Sequence, residues 1–100
     1  MQHFNINNLN KIFDNRIRVG IMSVLSVNNV LSFNDLKELL QLTDGNLATH
    51  LKTLEDNGYI SVKKGFIGRK TNTTYNITEQ GRKAFQEHLD ALEKIIRQMK

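Results

Sequence analysis

Residues 43–60 read TDGNLATHLKTLEDNGYI, and the fold turns on this stretch. Thr43 is a good helix N-cap, because its hydroxyl can accept from a free N–H of the first turn. Leu47, Leu51 and Leu54 follow at i, i+4 and i+7, the spacing of one buried helical stripe. Asn57-Gly58 closes the helix, since glycine readily takes the left-handed conformation that ends one. Tyr59, Ile60 and Val62 are strand formers, and Tyr59, Ser61 and Lys63 alternate with Ile60 and Val62. At ~100° per residue, the side opposite the leucines carries Gly45, Asn46, Thr49, Lys52, Thr53 and Asp56, with His50 on the flank. The stretch is therefore a capped amphipathic helix with a small polar outer face, running directly into a strand.

Upstream lie three further helical patterns. A short one is expected over Asn7–Phe13, with Leu9, Ile12 and Phe13 apolar. The next runs from Asn15, a capping residue, to Val27, with Ile17, Ile21, Val24 and Leu25 on one face and Asn28-Asn29 as its stop. Val30-Leu31 reads as a very short strand. Ser32 then opens the third pattern with a capping box in which Asp35 replaces the usual Glu, and Leu36, Leu39 and Leu40 form its apolar face.

Downstream, Gly65 and Gly68 bracket a loop, and Thr73–Ile77 is a second β-prone run. Together with Tyr59–Lys63 it predicts a hairpin with a basic tip. Thr78 caps a last helix that starts at about Glu79. Phe85, Leu92 and Met99 recur every seven residues in it, and Ile95 takes the other seam position. Leu89 and Ile96 widen the stripe, while Glu87, Asp90, Glu93, Lys94 and Arg97 suit water. The expectation is a dimerisation helix over 79–100, with Phe85, Leu89, Leu92, Ile95, Ile96 and Met99 at the contact and His88 interrupting the seam.

Charge is concentrated as sharply as the apolar residues are patterned. No Asp or Glu occurs between Asp56 and Glu79, and this window holds Lys63, Lys64, Arg69 and Lys70. These four account for the whole net charge of +4, because the rest of the chain balances. Clustered positive charge attracts a polyanion far better than the same charge spread evenly.

The element order predicts an α+β chain, mostly α: a winged helix-turn-helix with a two-stranded β-hairpin wing and a long C-terminal helix. In such a unit the second of two helices joined by a short turn enters the major groove of double-stranded DNA. Asn46 has the geometry to pair with adenine, and the methyls of Thr49 and Thr53 suit the thymine methyl. Lys52 can reach a phosphate, and Gly45 lets the backbone approach one near the helix N-terminus, where Thr43 sits. His50 joins this set from the flank. Arg69 and Lys70 at the wing tip suit the narrow minor groove, and Lys63 and Lys64 suit flanking phosphates.

Leu42–Leu51 and Leu54–Ile60 resemble the recognition helix and following strand of MarR-like and ArsR-like winged-helix regulators. Gly65–Lys70, Thr74-Tyr75 and Ile77–Arg82 are similar to the wing and last-helix start of the compact stand-alone group related to them. The resemblance spans about Asn8 to Leu92. It implies a homodimer on a roughly palindromic DNA site, usually acting as a repressor. The chain departs from larger MarR-like proteins in lacking an Asp before the wing arginine and in having one C-terminal helix with little N-terminal helical extension, departures that count against their usual ligand pocket.

Other function classes find less support. There is no glycine-rich phosphate loop, metal-ligand spacing or nucleophile motif, so no enzyme, cofactor or metal is expected. His3, His50 and His88 are far apart in sequence. A winged helix used as a protein-interaction module is the main alternative, but such modules lose the basic surface that this chain keeps. A small-molecule effector at the dimer junction is a third reading, with no residues that name it. One hundred residues without cysteine predict one domain in a reducing cytoplasm. No stretch approaches the ~20 apolar residues of a membrane span, and Met1–Asn10 lacks the pattern of a secretory signal.

Overall fold

The computed structural model describes residues 6–98, so His3 and Met99 lie outside the described residues. The N-terminal segment departs first from expectation. Instead of a helix over Asn7–Phe13 there is a single 3-10 turn, Lys11–Phe13. Asn10 causes this: its side chain accepts from the Ile12 N–H at 2.9 Å, and its own N–H donates to His88 Nδ1 at 3.0 Å. A backbone group spent on a distant histidine is not available to extend a helix.

Helix α1 (Arg16–Val27) starts at Asn15, whose side chain accepts from the N–H groups of Ile17 and Arg18. Strand β1 is Leu31–Ser32, one residue later than expected, because Val30 is half exposed and Leu31 is the residue that enters the core. Helix α2 (Phe33–Leu40) opens with the capping box: Asp35 N–H donates to Ser32, and Ser32 N–H donates back to the Asp35 carboxylate. Helix α3 (Asp44–Asp56) is capped by Thr43.

Helices α2 and α3 end in the same way on different residues. After α3, Gly58 (φ +75°) lets its N–H reach Glu55 O at 2.9 Å and the Tyr59 N–H reach Leu54 O at 3.0 Å. After α2, Gln41 takes the left-handed conformation (φ 53°), with the Leu42 N–H reaching Lys37 O at 3.1 Å. Both satisfy the orphan carbonyls of a helix end. The second does so without the glycine that usually announces it, and it makes the short turn between α2 and α3.

Strands β2 (Ile60–Ile67) and β3 (Lys70–Ile77) pair without a bulge from Ile60↔Ile77 to Ile67↔Lys70. The hairpin is longer and its turn tighter than expected. Gly65 lies inside β2, Lys70 begins β3, and only Gly68 and Arg69 form the turn. Gly68 has φ +62° in the first turn position, the placement that matches the twist of paired strands in a two-residue hairpin. β1 adds to the outer edge of β3 through Leu31↔Tyr75 and Ser32↔Thr74, so the sheet has three strands in the order β1-β3-β2.

The core gathers Ile21, Met22 and Leu25 from α1, Leu36 from α2, Leu47, Leu51 and Leu54 from α3, and Ile60 and Tyr75 from the sheet. Each such aliphatic side chain contributes roughly 1.5–3 kcal/mol by leaving water. Helix α4 (Glu79–Gln98) is pinned at its start. Thr78 Oγ1 accepts from the Gly81 N–H at 2.9 Å and donates to Gly58 O at 2.6 Å, while the Thr78 N–H donates to Tyr59 O. A Cβ at position 81 would lie 2.0 Å from Tyr59 O, so the approach of α4 to the α3–β2 junction requires glycine.

The face of α4 that meets the domain is Gly81, Phe85, His88 and Ala91, all buried. This corrects the expectation for Phe85, which belongs to the domain's own core instead of a partner-facing seam. Phe13 explains the choice. Its ring lies 5.3 Å from Phe85, 5.2 Å from His88 and 5.5 Å from Tyr59. His88 is tolerated inside because the Asn10 N–H satisfies its Nδ1. Leu89, Leu92 and Ile96 are left exposed on the other side of α4, with Ile95 half-buried.

Candidate nucleic-acid interface

The three leucines of α3 are buried, so the helix must present its other side to solvent. Thr43, Gly45, Asn46, Thr49 and Lys52 are exposed, and His50 and Thr53 are half-buried. The Thr49 hydroxyl donates to Gly45 O at 2.9 Å, and the Thr53 hydroxyl donates to Thr49 O at 3.3 Å. Lys52 Nζ lies 2.7 Å from Asp56, which holds its pKa above the ordinary lysine value, mainly through that hydrogen bond. Asp44 is bridged to Lys37 of α2 at 2.8 Å. The Asn46 side-chain amide alone on this face has no partner among the described residues, so both its donor and its acceptor are free to pair with a base edge.

His50 is tied back to the domain. Arg18 of α1 donates from Nη1 to His50 Nδ1 at 2.9 Å, and from Nε to Ile12 O at 2.6 Å. A guanidinium only donates, so Nδ1 is the acceptor and the neutral ring carries its proton on Nε2. Partial burial, and then the charge of Arg18, push the pKa of His50 below the ordinary imidazole value. Arg18 was not foreseen as a site residue. It lies among the flanking positions of an amphipathic helix, and its partner is 32 residues away, beyond the reach of any local pattern.

The wing is the electrostatic opposite of this helix. Lys63, Lys64, Arg69 and Lys70 are all exposed, and among the described residues none forms an ion pair. Arg69 stands in the turn, as expected, whereas Lys70 is the first residue of β3. Lys63 and Lys64 occupy successive β2 positions and so point to opposite faces of the hairpin. Of the expected α4 contact residues, Leu89, Leu92 and Ile96 share the solvent side and Phe85 does not. No group of three or more His, Asp or Glu able to hold a metal occurs among the described residues. No helix there is long and apolar enough to cross a membrane.

With this geometry in view, the comparisons with known proteins are specific. Residues 17–96 match the family model of a winged helix DNA-binding domain. The chain is 44% identical over 79 residues to an uncharacterized protein of Methanocaldococcus jannaschii, covering 79% of this chain and 86% of that one. It is also similar to the solved transcriptional regulator homologue of Pyrococcus horikoshii OT3. There the TM-score is 0.82 and the identity 31%, over 89% of this chain and 88% of the other. PadR of Bacillus subtilis, solved with operator DNA, shares the fold at a TM-score of 0.67 and 20% identity, over 75% of this chain and 47% of PadR.

Proposed function

The chain belongs to the winged helix DNA-binding domain family, and from that premise we propose that it is a sequence-specific transcriptional regulator, a repressor, that binds a palindromic operator as a homodimer. Helix α3 lies in the major groove with Asn46 reading a base, and the wing lies along the adjacent minor groove and backbone. The observation that carries this reading is the pairing of two surfaces. A helix face with one free base-reading amide stands beside a hairpin whose four cations have no carboxylate partner among the described residues.

The dimer rests on α4. Leu89, Leu92 and Ile96 stand at i, i+3 and i+7 and are 40%, 37% and 55% exposed, an apolar stripe that the monomer leaves wet. Two copies joined there by a two-fold axis present two α3 helices to half-sites about one DNA turn (~34 Å) apart. Selection of bound duplexes from a random library tests the DNA reading: it should enrich an inverted repeat with that spacing. Enrichment of a single half-site, or of nothing, would overturn the palindrome or the specificity. Sedimentation tests the dimer. Leu92→Asp should give a folded monomer, and a wild-type chain that stays monomeric at tens of micromolar excludes this interface.

A further inference from the structure

The wing carries two side chains that neither the core nor simple phosphate contact explains. Phe66 is 73% and Ile67 69% exposed, and among the described large apolar residues only Val27 is more exposed. A single exposed apolar side chain is ordinary. Here two stand in succession at the end of a strand, so they project from opposite faces of the hairpin. On one face the row runs Ile60, Val62, Lys64, Phe66, passing from the buried core to open solvent. On the other face Ile67 is paired with Lys70. The adjoining turn is Gly68-Arg69, and no carboxylate occurs anywhere in 57–78. Exposed apolar residues at a strand end invite aggregation, which gives their presence a cost that plain charge attraction does not require.

We propose that the wing tip is an apolar wedge, with Phe66 as its leading side chain, that enters a base step of the minor groove and bends the operator. This rests on the reading of the chain as a DNA-binding regulator. Charge complementarity selects the occupant: Lys64, Arg69 and Lys70 meet the phosphates on either side of the narrow groove while Phe66 displaces the stacking contact between two base pairs. The hairpin suits this because its eight pairs and two-residue turn hold the tip without a bulge, so little order has to be gained on insertion. Pyrimidine–purine steps unstack most easily. The wing position of a selected operator should therefore carry TA or CA/TG.

The test uses the full chain and its selected operator, with fluorophores at the duplex ends to report bending and 2-aminopurine at the wing-proximal step to report unstacking. Wild type should shorten the end-to-end distance and brighten 2-aminopurine. Phe66→Ala should abolish the brightening, straighten the duplex and weaken operator binding roughly a hundredfold, as for one base–aromatic stack worth about tenfold lost in each of two subunits. Its salt dependence should equal that of wild type, since no charge is removed. Phe66→Leu, still an apolar wedge, should keep most of the bend. Circular dichroism checks that both variants fold, which the exposure of the residue favours. A bound wild-type duplex that stays straight, or a Phe66→Ala complex as bent and as tight as wild type, overturns the wedge and leaves DNA binding intact. Wild type that binds no duplex overturns both. Phe66-dependent binding to phosphatidylserine vesicles with Phe66-independent DNA affinity would assign the tip to a membrane and overturn the proposal.

Discussion

Helix α3 and the wing, proposed to meet the same DNA, are built on opposite electrostatic plans. Between Asp44 and Asp56 the helix carries Lys52 against Asp44, Glu55 and Asp56, a net charge of −2. Three of these four ions are also engaged within the protein: Lys52 with Asp56, and Asp44 with Lys37. The wing carries four cations and no acid, and among the described residues none of the four is ion-paired. A helix whose side chains sum to a negative charge adds little long-range attraction to DNA; on the proposed reading it chooses among sequences once the wing has brought it there. On that reading the difference amounts to a division of labour, with affinity from the wing and selectivity from α3.

The largest effect should come from discharging the wing. In a dimer, Arg69→Ala with Lys70→Ala removes four phosphate contacts, which should flatten the plot of log affinity against log salt by roughly 4. Cognate and random duplexes should weaken together. A titration at several salt concentrations checks this, and an unchanged slope would return the attraction to some other surface.

Next in size is Asn46→Ala. It should cost ~1–3 kcal/mol per half-site of the cognate operator and relax one base position in each, with random DNA barely affected. Equal losses on both duplexes would mean that α3 does not read a base through Asn46, and the division of labour would fail on the helix side.

A smaller effect, of opposite sign, is expected from Asp56→Asn. It removes a negative charge from α3 and frees Lys52 from its exposed, solvent-screened ion pair. Binding to random DNA should tighten while the choice between operator and random DNA narrows. Competition between the two duplexes measures this. Weaker binding to both would show that Asp56 orders Lys52 for contact instead of restraining it.

The features that make this comparison were legible in the sequence where they are local. Caps at Asn15, Ser32 and Thr43, the leucine face of α3, the turn at Gly58 and the carboxylate-free window each depend on residues within a few positions, and each stands where expected. What escaped depends on distance or on satisfied polarity. The β1–β3 pairing and the Arg18–His50 contact join segments that no periodicity links. His88 read as an interruption of an apolar seam, yet it is buried because a backbone N–H from Asn10 meets it, and this rotates the inward face of α4 onto Phe85. Gly65 and Gly68 looked equivalent as loop markers. Only Gly68 has a positive φ, so only Gly68 turns the chain, and Phe66 and Ile67 became strand residues with nowhere to bury.

The smallest expected effect is a titration, and it separates a side chain held by the protein from one left free for DNA. His50 is half-buried beside Arg18, and both burial and that charge lower its pKa. In the unfolded chain the imidazole titrates near its ordinary value of about 6.5. Between the lowered folded pKa and that value the unfolded state binds more protons than the folded one, so stability rises with pH across this window. Acidification from pH 7.5 to 5.5 should therefore destabilise wild type more than His50→Gln, whose amide oxygen can accept from Arg18 without titrating. His3 and His88 are common to both proteins and cancel in the difference. Urea unfolding at several pH values gives the measurement. Parallel stability curves for the two proteins would mean that Arg18 does not hold His50, and that the flank of α3 is as unrestrained as the wing.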